Sequence, residues 1–290
     1  MQILVTGAYG QLGSEIKELV SNYPDWKFLF TDVDSLDITS VTAVENYFSA
    51  NKVDVVVNCA AYTAVDKAES DQETAHLVNA IAPKILAKRC RETGAKLIHV
   101  STDYVFAGNA CTPYSETDKT DPKGAYGRTK LDGENFVLAE NPDAVIIRTS
   151  WLYSSFGNNF VKTMLRLGKE KEQLGVVFDQ VGTPTYAADL AAAILQIVKK
   201  YEIKSSDFIP GIYHYSNEGV ASWFDFTLAI FEFSGIKIKV NPVLSDQFPT
   251  PTKRPHFSVL NKLKIKNNFD IEIPYWKDSL QVCLNKLQKA

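Results

Sequence analysis

The chain has 290 residues and carries 31 Lys+Arg against 34 Asp+Glu, a formal net charge of −3. That near-balance excludes nucleic acid as the main partner, which would want a strongly basic face. With 45% apolar and 22% charged residues, the chain has the composition of a globular protein able to bury a core without disulfides or metals.

The first residues, Gln2-Ile3-Leu4-Val5-Thr6, already read as a strand, with no basic segment or cleavage site, so no targeting leader is expected. Almost continuously apolar runs follow at 3–5, 28–30, 53–57, 97–100 and 145–147. They alternate with helix-like stretches at 11–21, 40–50, 72–93 and 123–140, with Ser40 and Asp71 as N-caps and Gly94 as a closing glycine. Strands without polar alternation suit a parallel sheet covered on both faces. Repeated β-α alternation then predicts an α/β, doubly wound parallel sheet.

Beyond about residue 150 the pattern loosens as Gly, Pro and aromatic residues gather at 153–159, 182–186 and 248–255. A helix at 187–200 and a strand at 211–215 are expected to return to the main sheet. A helix at 222–233 and the C-terminal run should build a smaller lobe. The most apolar stretch, 187–198, is interrupted by Asp189 and Gln196 and is too short to span a bilayer. No membrane partner is expected.

The scattered Cys59, Cys90, Cys111 and Cys283 form no C-x-x-C pair, which predicts reduced thiols and a cytoplasmic setting. The histidines show no metal-ligand spacing either, which argues against a catalytic zinc.

Gly7, Gly10 and Gly13 lie directly after the first strand and open a helix. Glycines there permit a tight turn, close backbone approach to a pyrophosphate and close helix–strand packing, while helix-terminal amides face the negative charge. The second strand ends at Asp32, 19 residues after Gly13, where a carboxylate can accept from ribose hydroxyls. No Lys or Arg between Thr31 and Ser40 would neutralise a 2′-phosphate, so NADH is favoured over NADPH. Small residues at Asn58-Cys59-Ala60-Ala61 would let a cofactor lie against the sheet. The expected division is a dinucleotide-binding domain at 1–153, with segments near 183–216 returning to it, and a smaller lobe from 154–290.

Tyr126 and Lys130 stand at i and i+4 on one helix face. A phenol titrates near pH 10 when unperturbed, and an ammonium one turn away is expected to lower that value. Thr102 precedes Tyr126 by 24 residues, on a loop leaving the fourth strand, where its hydroxyl can bond a substrate oxygen gaining charge. Arg148 in an apolar strand is expected to pair with a buried acceptor, and His99 to be a satisfied core histidine.

These residues, with the strings GAYGQLG, NCAAYTAVDKAE, STDYVFAG, YGRTKLDGE, RTSWLY, GNNFVKTML and DQVGTPTYAADLA, carry a resemblance over nearly the whole chain. The sequence resembles the extended short-chain dehydrogenase/reductases, Rossmann-like in fold, and among them the dTDP-4-dehydrorhamnose reductase family. The resemblance implies reduction of the 4-keto group of a dTDP-linked 6-deoxyhexose by NADH or NADPH, with Tyr126 as proton donor. It implies cofactor contacts from Gly10, Gln11, Leu12, Asp32, Asp37, Ile38, Ala61, Tyr62, Thr63, Tyr126 and Lys130. Sugar-nucleotide contacts are implied for Thr102, Asp103 and Trp151, and Arg254 is a candidate for the pyrophosphate. The smaller lobe would bind the sugar nucleotide.

A homodimer is a possible assembly, and some family members use Mg²⁺ at a dimer contact, which would involve Glu15, although no metal shell is evident in the sequence. Two other outcomes stay open on the same residues. One is a related 4-ketoreductase or epimerase of different stereochemistry; the other is a non-catalytic regulatory subunit of the methionine adenosyltransferase type.

Overall fold

A computed structural model describes residues 1–289. Its centre is a six-stranded sheet, parallel throughout, built from β1 (Gln2–Thr6), β2 (Lys27–Thr31), β3 (Val55–Asn58), β4 (Lys96–Thr102), β5 (Val145–Thr149) and the strand Gly211–His214. From one edge the order is Gly211–His214, β5, β4, β3, β1, β2. The order in which strands are added therefore switches sense between β1 and β3, and a crevice opens beyond their carboxyl ends.

The sheet is buried on both faces because side chains alternate along each strand. Ile3, Val5, Val57, Ile98 and Ile147 face a cluster completed by Ile16, Leu190, Ile194 and Val198. Leu4, Val56, Leu97 and Ile146 face the opposite cluster, with Val44, Phe48, Leu86 and Val137. The helix Ala187–Ile203 packs Leu190, Ile194 and Val198 into the first cluster, and the strand Gly211–His214 pairs with β5. Ile265 and Phe269, from a segment expected in the smaller lobe, also pack into the first cluster. The smaller lobe has its own core of Tyr153, Val161, Met164, Phe226, Ile230, Trp276 and Leu280.

Local signals act as the sequence implies at Ser40, whose hydroxyl accepts from the Ala43 amide, and at Gly94, which closes its helix at φ 77°. Asp71 differs, because its carboxylate accepts the Tyr62 hydroxyl (3.0 Å) and makes no cap. The helical run over 72–93 also contains an unexpected π turn at Leu77–Ile81. That turn holds Asn79 inward, where its amide bonds both main-chain groups of Tyr62 and the Thr129 hydroxyl. Among the described residues no helix is long and apolar enough to cross a membrane.

Candidate active site

A cleft of about 950 Å³ opens at the carboxyl edge of the sheet. Gly7 turns out of β1 at φ 62°, and a side chain there would lie 2.7 Å from the Ala60 backbone, so the turns after β1 and β3 close on each other. Gly13 lies beneath the turn, where a Cβ would meet the Gly7 carbonyl at 2.6 Å. Gly10 precedes the helix Gln11–Glu18, whose first turn has neither a side-chain cap nor an acidic residue. Its amides thus face the cleft with no carboxylate competing for them, the environment a pyrophosphate requires.

Gln11, Leu12, Asp32, Asp37, Ile38, Ala61 and Thr63 all line the cleft. Asp32 accepts the amides of Tyr9 (3.1 Å) and Val33 (2.9 Å), which fixes its carboxylate at the rim. Tyr62 does not line the cleft: its backbone is pinned by Asn79 and its hydroxyl is turned to Asp71. The residues between Thr31 and Thr39 that line this end include Asp32, Asp34 and Asp37 and no cation. A dinucleotide therefore fits the turn.

At the other end stand Thr102, Asp103, Tyr126, Lys130 and Trp151. Tyr126 and Lys130 share the helix Ala125–Glu140 and are buried. The expected lowering of the phenol's pKa is not met. Burial drives Tyr126 above its ordinary value, Asp103 and Tyr104 add to the rise, and only the Thr102 hydroxyl opposes it. The Lys130 amine donates instead to the Val100 carbonyl (2.7 Å), and burial lowers it to about 8. Asp103 is pushed up to about 7 by burial. One of its oxygens accepts the Thr102 hydroxyl (2.9 Å), and the other has no partner.

Behind Lys130 a buried ion pair closes the site. Arg148 donates through Nε (2.9 Å) and Nη2 (2.7 Å) to the two oxygens of Glu134, one helical turn beyond Lys130. The Ser101 hydroxyl adds a 2.5 Å bond to the same carboxylate. Arg148 thus has the acceptor its position demanded. His99 is only half satisfied: Nδ1 meets the Asn58 amide (3.0 Å), while Nε2 is buried without a partner.

Two residues weighed from the sequence are engaged elsewhere. Arg254 does not line the cleft; it pairs with Asp66 (2.5 Å) and donates to the Tyr104 hydroxyl. Glu15 does not fit a cation site. It is buried, it accepts the Ser154 hydroxyl (2.6 Å), and the Lys286 ammonium occupies its other oxygen at 3.0 Å. Among the described residues no group of three or more metal-ligating side chains gathers.

The sequence reading missed Asn159, which lines the cleft and donates to Gln11 (3.0 Å), although it lies within the string GNNFVKTML. It also missed Tyr104, whose ring packs edge-on against Tyr126.

A parallel sheet with a glycine turn at its switch point and a buried Tyr/Lys/Thr set defines an extended short-chain dehydrogenase/reductase. The family described as "RmlD substrate binding domain" matches residues 1–289, so the chain belongs to it. A dTDP-4-dehydrorhamnose reductase of Aggregatibacter actinomycetemcomitans is 40% identical over 287 residues, covering 97% of each chain. The crystal structure of a dTDP-4-dehydrorhamnose reductase from Clostridium acetobutylicum is 46% identical with a TM-score of 0.93, covering 99% of this chain and 100% of that one. The Bacillus anthracis enzyme, solved in complex with NADP, is 38% identical at a TM-score of 0.93, covering 98% and 99%.

Proposed function

We propose that this chain is an NAD(P)H-dependent dTDP-4-dehydrorhamnose reductase, reducing the 4-keto group of dTDP-4-dehydro-6-deoxy-L-mannose to give dTDP-L-rhamnose. The observation that carries the reading is the convergence of Thr102, Tyr126 and Lys130 on the same cleft as the glycine turn and Asp32. The bound dinucleotide supplies the hydride. Tyr126, kept protonated by its burial, gives its proton to the forming C4 alkoxide. That direction of transfer suits a neutral phenol, which is an acid rather than a base. Thr102 hydrogen-bonds the same oxygen, Lys130 holds the cofactor ribose and opposes charge left on the phenol, and Asp103 and Trp151 contact the sugar nucleotide.

NADH is the preferred coenzyme on the charge of the Asp32 end, although the relative from Bacillus anthracis was solved with NADP. The free thiols of Cys59, Cys90, Cys111 and Cys283 support a cytoplasmic setting.

Incubating the purified chain with NADH and dTDP-4-dehydrorhamnose tests the reading, with coenzyme oxidation followed by absorbance and product stereochemistry by NMR. Tyr126→Phe should lower kcat by about 10²–10⁴-fold, the usual worth of a positioned general acid, with the KM for NADH little changed. Absence of substrate-dependent oxidation, or parental turnover by the variant, defeats it.

A further inference from the structure

Trp151 is held in an unusual way. Its backbone sits in the left-handed region at φ 48°, where residues other than glycine are rare. Bonds to the facing segment fix it there: the Trp151 carbonyl accepts the Thr185 amide (3.2 Å), and the neighbouring Ser150 hydroxyl donates to the Thr183 carbonyl (2.8 Å). Strain of this kind persists where the surroundings over-determine it, and it gathers at functional sites.

The indole is fixed as firmly as the backbone. Trp223 stacks on it with ring centroids 3.6 Å apart and planes at 8°. Gly182 abuts its edge, where a Cβ would lie 2.7 Å from Cε2. Trp223 does not line the cleft, whereas Trp151 does. One face of Trp151 is therefore covered by Trp223 while the residue still borders the cleft.

Trp223 is well anchored for that task. It is the first residue of the helix Trp223–Ser234, whose start is set by a reciprocal capping box between Ser222 and Asp225. Phe160 packs against it at 4.5 Å.

We propose that Trp223 is a positioning residue for sugar-nucleotide binding: it holds the Trp151 indole at the angle a substrate ring needs, without touching substrate itself. The proposal rests on the reading of Trp151 given above. Without its backing, Trp151 would have to be ordered anew at each binding event, so the loss falls on substrate affinity rather than on chemistry.

The test is a double-mutant cycle in the complete enzyme, with KM for the sugar nucleotide, KM for NADH and kcat measured separately. Trp223→Leu should raise the sugar-nucleotide KM several-fold, up to about ten-fold, which corresponds to the worth of one aromatic pair. Its kcat and its KM for NADH should stay parental, and Trp223→Phe, which restores a ring, should recover most of the loss. In a Trp151→Ala background, itself raised in KM, adding Trp223→Leu should change nothing further. Parental KM in Trp223→Leu, or an equal effect of that change with and without Trp151, overturns the proposal. Parental sugar-nucleotide KM in Trp151→Ala overturns both this proposal and the role given to Trp151, and so separates the two failures. Thermal unfolding of each variant identifies any loss that is only one of folding.

Discussion

Glu134→Gln is the most searching perturbation of the site, because Glu134 is tied to both stability and protonation. The carboxylate and the Arg148 side chain are each almost fully buried, and the pair is joined by Nε and Nη2 bonds of 2.9 and 2.7 Å. The amide removes the charge and leaves a buried guanidinium whose Nη1 already lacks a partner. Breaking such a pair from one side costs about 3–5 kcal/mol, since the remaining charge cannot be solvated. At roughly 2 °C per kcal/mol for a chain of this size, Tm should fall by about 6–10 °C. Chemistry should move too. Burial lowers Lys130 to about 8, and the Glu134 charge is the influence that opposes the lowering. Without it Lys130 loses its proton at lower pH, so the alkaline fall in kcat/KM shifts downward.

Calorimetry and a pH–rate profile read the two effects independently. Adding Arg148→Met should restore much of the lost stability, because no unpaired charge is then buried. The alkaline limb should remain displaced. A single variant that keeps both parental Tm and the parental alkaline limb would refute the reasoning.

Two further outcomes follow from the geometry. Asp32→Ser removes a rim carboxylate held by the Tyr9 and Val33 amides; the ratio of kcat/KM for NADPH to that for NADH should rise about ten-fold or more, at about 1.4 kcal/mol per decade. An unchanged ratio would mean that Asp32 does not read the ribose. Asp103 is raised from the ordinary 3.8 to about 7 by burial, so the folded state binds a proton that the unfolded chain has lost between those values. Its contribution is present below about pH 4 and is lost as pH rises through about 7, on the order of 4 kcal/mol in all. Asp103→Asn cannot ionise, so it should match parental Tm at acid pH and exceed it at pH 8, as read by thermal melts across the range. Parallel Tm–pH curves for variant and parent would contradict this.

The sheet was readable because five of its six strands contain a short, nearly unbroken apolar run, and such runs suit a sheet covered on both faces. The glycine turn, Asp32 and the Tyr126/Lys130 pair were readable because their spacing is local and the chemistry needs those residue types. What escaped depends on contacts between distant segments. Nothing near Asn79 signals a π turn; the turn exists because Tyr62 and Thr129 take its amide and because Gly133 admits its carbonyl, a Cβ there falling 2.1 Å from the Asn79 oxygen. Arg254 looked like a phosphate ligand because its partner Asp66 lies far away in sequence. Trp223 looked like ordinary helix packing because nothing local links it to Trp151. The phenol's pKa was misjudged for another reason: a one-turn spacing fixes a neighbour but not where its ammonium points, and Lys130 points to the Val100 carbonyl.

The perturbed groups of the catalytic end share one direction. Tyr126 and Asp103 are raised and Lys130 is lowered, each chiefly by burial, so the cleft favours the neutral form of all three. For a reduction, a neutral phenol is the state that can act. Giving up its proton, however, creates an anion in that same desolvated space, and the charge must then be met by a cation. Among the described residues Lys130 is the only lysine or arginine lining the cleft, and desolvation works against its proton as well. Glu134 is the group whose charge opposes that loss, and Arg148 and Ser101 hold its carboxylate in the interior by hydrogen bonds. In the proposed reaction, protonation of the alkoxide by Tyr126 is thereby tied to an ion pair one helical turn behind Lys130 that does not itself line the cleft.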